Sequence, residues 1–286
     1  AKWRNAPRYV VLAGDGTYDY RNVQGFGDNL IPPMLVNTSS GLAPTDSDFA
    51  PAEVSGRSEM AIGRLPVTTS GEVAEVIRKV VARESALGED WMGNTLLIAD
   101  DPDFGGDFVA SSETVFGALP SGSPVVRGYF SVDGLEASRA RLVDGLNAGT
   151  GFVNYVGHGG YDQLADESLL MSSDASLLTN ELRPSVMTAM TCLSGNASLP
   201  GYSAIGETLV RQQGGGLVAL WAPTGMSQDE PAALLATEFY KAVFDARTER
   251  LGDAIGSARK AYRQSGGPDF MLSIYNLLGD PALRIR

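Results

Sequence analysis

Short apolar runs alternating with amphipathic helical stretches constrain the fold of this 286-residue chain more than any other feature. Strand candidates lie at residues 8–13, 95–99, 124–130, 151–156, 185–191 and 216–221. Each is apolar, bounded by turn residues and too short for a buried helix. Between them the spacing changes. From 70 to 87, Val73, Val76, Ile77, Val80 and Val81 form one apolar stripe, Glu72, Glu75, Arg78 and Lys79 take the wet side, and Ser70 is placed to cap the first turn. Helices are also expected at 108–119, 134–147, 205–212, 230–245 and 252–264. Strand, helix, strand repetition implies an α/β fold with a mainly parallel sheet covered by helices on both faces.

Residues 19–53 are the exception, being long, rich in Gly, Pro, Asn and Asp and without periodicity, and are expected to form a functional surface loop. No internal repeat or low-complexity tract stands out. One large domain or two closely joined ones fit the length. A boundary is placed near 87–93, while the Pro/Gly-rich break at 119–124 reads equally as a boundary or as an ordinary helix-to-strand loop.

Hydrophobic residues at 43% and charged residues at 20% suit a globular protein. No apolar run reaches the roughly eighteen residues of a membrane span. A net charge of −12 argues against nucleic acid or an anionic membrane as partner. One cysteine excludes an internal disulfide and leaves the redox compartment unread. No signal peptide is recognisable, and the chain enters its first strand almost at once, so it is read as a piece of a longer precursor.

The chemistry converges on the single histidine and the single cysteine. Taken separately, a lone histidine or a free cysteine is commonly a structural, buried group. Here each follows an apolar run: 151–156 leads to Gly157-His158-Gly159-Gly160, and 185–190 leads to Thr191-Cys192-Leu193-Ser194-Gly195. Ligands of open α/β sheets bind beyond the carboxyl ends of the strands, so two adjacent parallel strands would set His158 and Cys192 on one rim. A thiol is a good nucleophile as thiolate, and a nearby imidazole is the usual group to take its proton.

Other chemistries fit less well. A tetrahedral zinc site would need two carboxylates or water beside His158 and Cys192. There is no Gly-x-Ser-x-Gly elbow, and Gly25-Phe26-Gly27 lacks the third glycine of a dinucleotide loop. Asp46, Asp48 and Glu53 offer hard oxygen ligands that suit either a calcium ion or a solvated acidic turn.

An apolar strand then His158-Gly159, followed 34 positions later by an apolar strand then Cys192, resembles the core of the cysteine-peptidase clan of caspases, legumains and gingipains. Tyr9-Val10-Val11-Leu12-Ala13-Gly14-Asp15, Ala61-Ile62-Gly63-Arg64-Leu65-Pro66, Ile205-Gly206-Glu207 and Leu278-Gly279-Asp280-Pro281-Ala282-Leu283 extend the likeness to the gingipain-like peptidases, family C25, nearly end to end.

The resemblance implies a caspase-like (caspase-hemoglobinase) fold, with residues 1–90 a partial N-terminal subdomain and 91–286 the catalytic one. It implies a cysteine endopeptidase acting through a thioester, with Cys192 as nucleophile, His158 as proton donor to the departing amine, and the amides of Gly159 and Cys192 holding the oxyanion. A carboxylate after an earlier strand should orient the imidazole, and Asp101 and Asp103 are favoured over Asp100. A basic residue, Arg or Lys, is expected at the cleaved position. Asp107 is the candidate pocket acid or else a helix cap, and Met190 and Trp221 are pocket walls or else ordinary core. No cofactor is expected for catalysis beyond a structural calcium. Protein or peptide substrates, further precursor segments, and a secreted or cell-surface location follow from the same likeness. A sortase-like processing peptidase or transpeptidase is the nearest alternative. A non-catalytic caspase-like binding module is the rival from another class.

Overall fold

The computed structural model describes residues 7–27, 29–49 and 60–286. In chain order its elements are β1 (Tyr9–Ala13), β2 (Met34–Thr38), β3 (Gly41–Thr45), β4 (Ala61–Leu65), α1 (Ser70–Ser85), β5 (Thr95–Ala99), α2 (Phe108–Phe116), β6 (Val125–Tyr129), α3 (Phe130–Asp133) and α4 (Leu135–Ala148). There follow β7 (Phe152–Val156), β8 (Gln163–Leu164), β9 (Leu170–Met171), β10 (Ser185–Met190), α5 (Ile205–Arg211), β11 (Leu217–Pro223), α6 (Asp229–Phe244), α7 (Leu251–Ser265), α8 (Asp269–Ile274) and β12 (Tyr275–Leu278).

Eight strands form one sheet in the order β1-β4-β12-β11-β10-β7-β5-β6. All its pairings are parallel except that of β11 with β12. The central strands are apolar on both sides because helices cover both faces. Along β7, Phe152 and Val156 face the layer of α2, α6, α7 and α8, while Val153 and Tyr155 face that of α4 and α5. β10 alternates in the same way, Val186 and Met190 to one layer and Met187 and Ala189 to the other. A small polar knot crosses this core: Asn154 Nδ2 donates to Thr188 Oγ1 at 2.9 Å, and Thr188 Oγ1 meets the Tyr240 hydroxyl at 3.2 Å.

The sheet revises several sequence expectations. α1 is capped by Thr69, not Ser70: Thr69 Oγ1 accepts from the Glu72 amide, and the Glu72 carboxylate accepts from the Thr69 amide. Such a reciprocal cap contributes about 1 kcal/mol. The stretch expected as an irregular loop holds the β2–β3 hairpin, its strands in register from Met34 opposite Thr45 to Thr38 opposite Gly41. The Ile62-Gly63-Arg64 segment, outside all the expected strands, lies in strand β4. Strands on both sides of the boundary expected near residue 90 share one sheet, β1 and β4 continuing it beyond β12.

Arg64 explains why a strand with a charged residue is tolerated inside. Its guanidinium donates to both oxygens of Asp46 and to the carbonyls of Gly14 and Ile31, tying the hairpin and the preceding loop to β4. The pair is buried on both sides. Asp46 therefore spends its carboxylate on Arg64, Asp48 is exposed in a 3-10 turn, and Glu53 lies outside the described residues. The described part of this segment does not fit a cation site drawing on Asp46.

Candidate active site

Strand register decides what meets at the carboxyl rim. Val156 of β7 is paired with Met190 of β10, and Ala99 of β5 with Val156. His158 and Cys192 each stand two residues past a paired strand end, on neighbouring loops. The rim is stitched where the strands stop: the Gly157 amide donates to the Met190 carbonyl at 3.2 Å, and the Asp100 amide to the Val156 carbonyl at 3.0 Å. Gly159 packs against the other loop so closely that a Cβ there would collide with Thr191 Oγ1 and lie 3.2 Å from the Cys192 carbonyl oxygen.

The imidazole is held from several sides. Asp103 Oδ2 lies 2.9 Å from His158 Nε2, and Nδ1 has no hydrogen bond among the described residues. The edge of Phe108 meets the ring at a centroid distance of 5.1 Å, and Phe104 lies over it at 5.8 Å. The backbone is fixed as well: the Tyr155 hydroxyl donates to the His158 carbonyl at 2.6 Å, and the His158 amide donates to Asp100 Oδ2 at 3.0 Å. Gly157 is required here, because a Cβ would run into the Asp100 side chain.

Three acids after β5 thus have three different roles. Asp103 orients the ring. Asp100, only 1% exposed, accepts from the amides of His158 and Asp101 and so positions the loop from beneath. Its carboxyl is pushed up to about 6 by burial, against the pull of those two hydrogen bonds. Asp101 gives its amide to Asp100 and does not meet the imidazole. Asp100, Asp101 and Glu167 bring carboxylate oxygens within 4.8 Å of one another, the one such acidic group among the described residues. Sequence reading ranked Asp100 behind Asp101 and Asp103, and its contact is to a backbone amide 58 residues away.

Burial pulls the His158 pKa down, but the hydrogen bond and charge of Asp103 outweigh it and the net shift is upward. Asp103 is held below the usual carboxylate range, first by the hydrogen bond with His158 and then by the Gly105 amide. Burial raises the Cys192 thiol, partly offset by the Ser227 amide, which donates to Sγ at 3.3 Å. Ser227 is steadied in turn by the Tyr275 hydroxyl, 2.8 Å from its own. After Cys192 the chain turns sharply, with Leu193 in the left-handed region at φ 60°. That costs a non-glycine residue of order 1–3 kcal/mol and is tolerated where the surroundings enforce it. Here the Leu193 amide is tied to the Gly225 carbonyl at 3.2 Å, and the Gly195 amide to Pro223 at 2.9 Å.

The residues expected to line a substrate pocket make other contacts. Asp107 caps α2, accepting from the Ala110 amide at 3.0 Å. Met190 and Trp221 are 2% and 1% exposed, because β10 and β11 are central strands covered on both faces. Trp221 packs on Phe239 and Tyr275. Another acid near these loops is Asp229, two residues beyond Ser227. Its Oδ2 accepts from the Ser111 hydroxyl at 3.0 Å, whereas the buried Oδ1 has no hydrogen-bond partner among the described residues. Burial raises its pKa. A Cβ on Gly106, in the loop over His158, would collide with the Asp229 carboxylate. Asp229 therefore lies beside the 103–106 loop.

Comparison with known proteins gives the family and the fold. The family model of peptidase family C25 matches residues 1–286. No curated protein sequence matches the chain. Among solved structures, the chain is similar to gingipain R (RgpB), an Arg-specific cysteine proteinase, at a TM-score of 0.78 and 20% identity, covering 97% of this chain and 64% of that one. It is similar to RgpB of Porphyromonas gingivalis in a complex of pro- and mature domains at 0.79 and 20%, covering 100% and 67%. The separase of a Saccharomyces cerevisiae separase–securin complex is more distant, at 0.51 and 15%, covering 77% and 14%. At such identities the likeness is one of fold. The chain spans 64% of the length of the gingipain R chain.

Proposed function

Because the chain belongs to peptidase family C25, we propose that it is a cysteine endopeptidase working through Cys192 and His158. The observation that carries this reading is the paired register of β7 and β10, which sets the only imidazole and the only thiol of the chain two residues past matched strand ends. In the first step Cys192 Sγ bonds to the peptide carbonyl carbon and the thiol proton passes to the neutral imidazole. The tetrahedral oxyanion is met by the amides of Gly159 and Cys192, which have no hydrogen-bonded partner among the described residues. Collapse breaks the C–N bond as His158 delivers the proton to the departing amine. Water, giving a proton to His158, then cleaves the thioester, and that proton restores the thiol while the acid is released.

Asp229 supports a basic residue on the acyl side of the cleaved bond. Its buried, unpartnered oxygen lies two residues from the amide that meets Sγ, where a guanidinium or ammonium would supply the missing donor. On this reading the pocket acid is Asp229 instead of Asp107. A matched set of fluorogenic peptides differing only at that residue tests the assignment. The expected result is cleavage after Arg or Lys by the wild-type chain and loss of that preference in Asp229→Asn, while preference for an apolar or acidic residue contradicts it.

A further inference from the structure

Phe104 is 97% exposed, yet its ring lies 5.8 Å, centroid to centroid, from the imidazole. Its position is built, not incidental. Phe104 and Gly105 are the central residues of a tight turn closed by the Asp103 amide on the Gly106 carbonyl at 3.1 Å. Asp103 Oδ1 accepts from the Gly105 amide at 2.7 Å while the other oxygen of the same carboxylate holds His158, so one side chain fixes both the turn and the ring. The base of the turn is pressed into the site: a Cβ on Gly105 would lie 2.8 Å from the imidazole Cε1, and one on Gly106 would meet Asp229. The aromatic side chain is thus held outward beside the imidazole.

The imidazole gives its proton to the departing amine, so the residue that follows the cleaved bond must lie within a side chain's reach of His158. We infer that Phe104 is the platform for that residue and selects a large apolar or aromatic side chain there. This rests on the peptidase reading above. A side chain laid over Phe104 covers an aromatic face that has no partner besides the imidazole among its ring contacts, and apolar area removed from water drives the preference.

The test is a peptide series with a constant acyl side and Gly, Asp, Leu or Phe as the first residue after the bond, cleaved by wild type, Phe104→Ala and Phe104→Leu. Wild type should favour Leu and Phe over Gly by roughly tenfold in kcat/KM. In Phe104→Ala the ratio should fall close to one, and Phe104→Leu should keep part of it. Being almost wholly exposed, the position is one where truncation leaves the fold intact. A flat wild-type profile, or a preference kept in Phe104→Ala, overturns the inference while leaving the peptidase reading standing. Absence of any cleavage by the wild type overturns that reading and this inference with it.

Discussion

His158 Nε2 and Asp103 Oδ2 lie 2.9 Å apart, and this contact reverses what burial alone would do to the imidazole. Desolvation disfavours the charged ring, and the carboxylate more than compensates. The pairing is strongest between the depressed pKa of Asp103 and the raised pKa of His158. Below that window the acid is neutral, and above it the ring is.

Asp103→Asn should therefore lower the His158 pKa and move the acid limb of the activity profile to lower pH. With one histidine in the chain, a single imidazole resonance followed by NMR titration reads the shift directly. A midpoint unchanged or raised in the variant contradicts the assignment. The pair's stability contribution follows the same signs: the His158 share is complete below its unfolded pKa and lost as pH rises through the folded value, and the Asp103 share is lost as pH falls through its own depressed value.

Cys192 should be a protonated thiol at neutral pH in the free protein, since burial raises it more than the Ser227 amide lowers it. Alkylation by iodoacetamide, at the one cysteine present, should rise with pH to a midpoint above that of an ordinary thiol. A reactive thiolate already formed below pH 7 would contradict this.

Asp100→Asn should cut activity at least about tenfold with Cys192 untouched. An amide group can accept one of the two N–H groups that Asp100 now serves and turns a donor on the other, a mismatch of about 1–3 kcal/mol at the loop carrying His158. Activity within twofold of wild type would show that the buried carboxylate does not position the loop.

Arg64→Ala should destabilise the fold by about 3–5 kcal/mol, because it strands the buried Asp46 carboxylate and frees the carbonyls of Gly14 and Ile31. Urea unfolding measures it, and a loss under 1 kcal/mol would mean that the pair contributes little. Arg64→Met, which fills the volume, should still lose most of this amount while Asp46 is left in place.

The central strands and long helices were legible because their apolar periodicity is local. β5 falls at the expected bounds, and β7 and β10 within a residue of theirs. The placement of His158 and Cys192 on one rim was legible because each closes an apolar run and has no competitor of its type. β4 was not, since its Arg64 breaks the pattern and is satisfied by Asp46, 18 residues away. Asp229 was hidden for a related reason. At the head of α6 it reads as a first-turn acid, and only the folding of Ser111 and Gly106 against it distinguishes it.

The central claim is that Cys192 Sγ forms a covalent acyl intermediate with the help of His158. A peptidyl acyloxymethyl ketone with Arg beside the reactive carbon should add one mass increment to the wild-type protein, located at Cys192 by tandem mass spectrometry, with loss of peptide cleavage in step. Labelling should be slowed strongly in His158→Ala and absent in Cys192→Ala, which should also cleave no peptide while melting like the wild type. Cleavage at wild-type rates by Cys192→Ala, or labelling of Cys192 no faster than of free cysteine, would contradict the account.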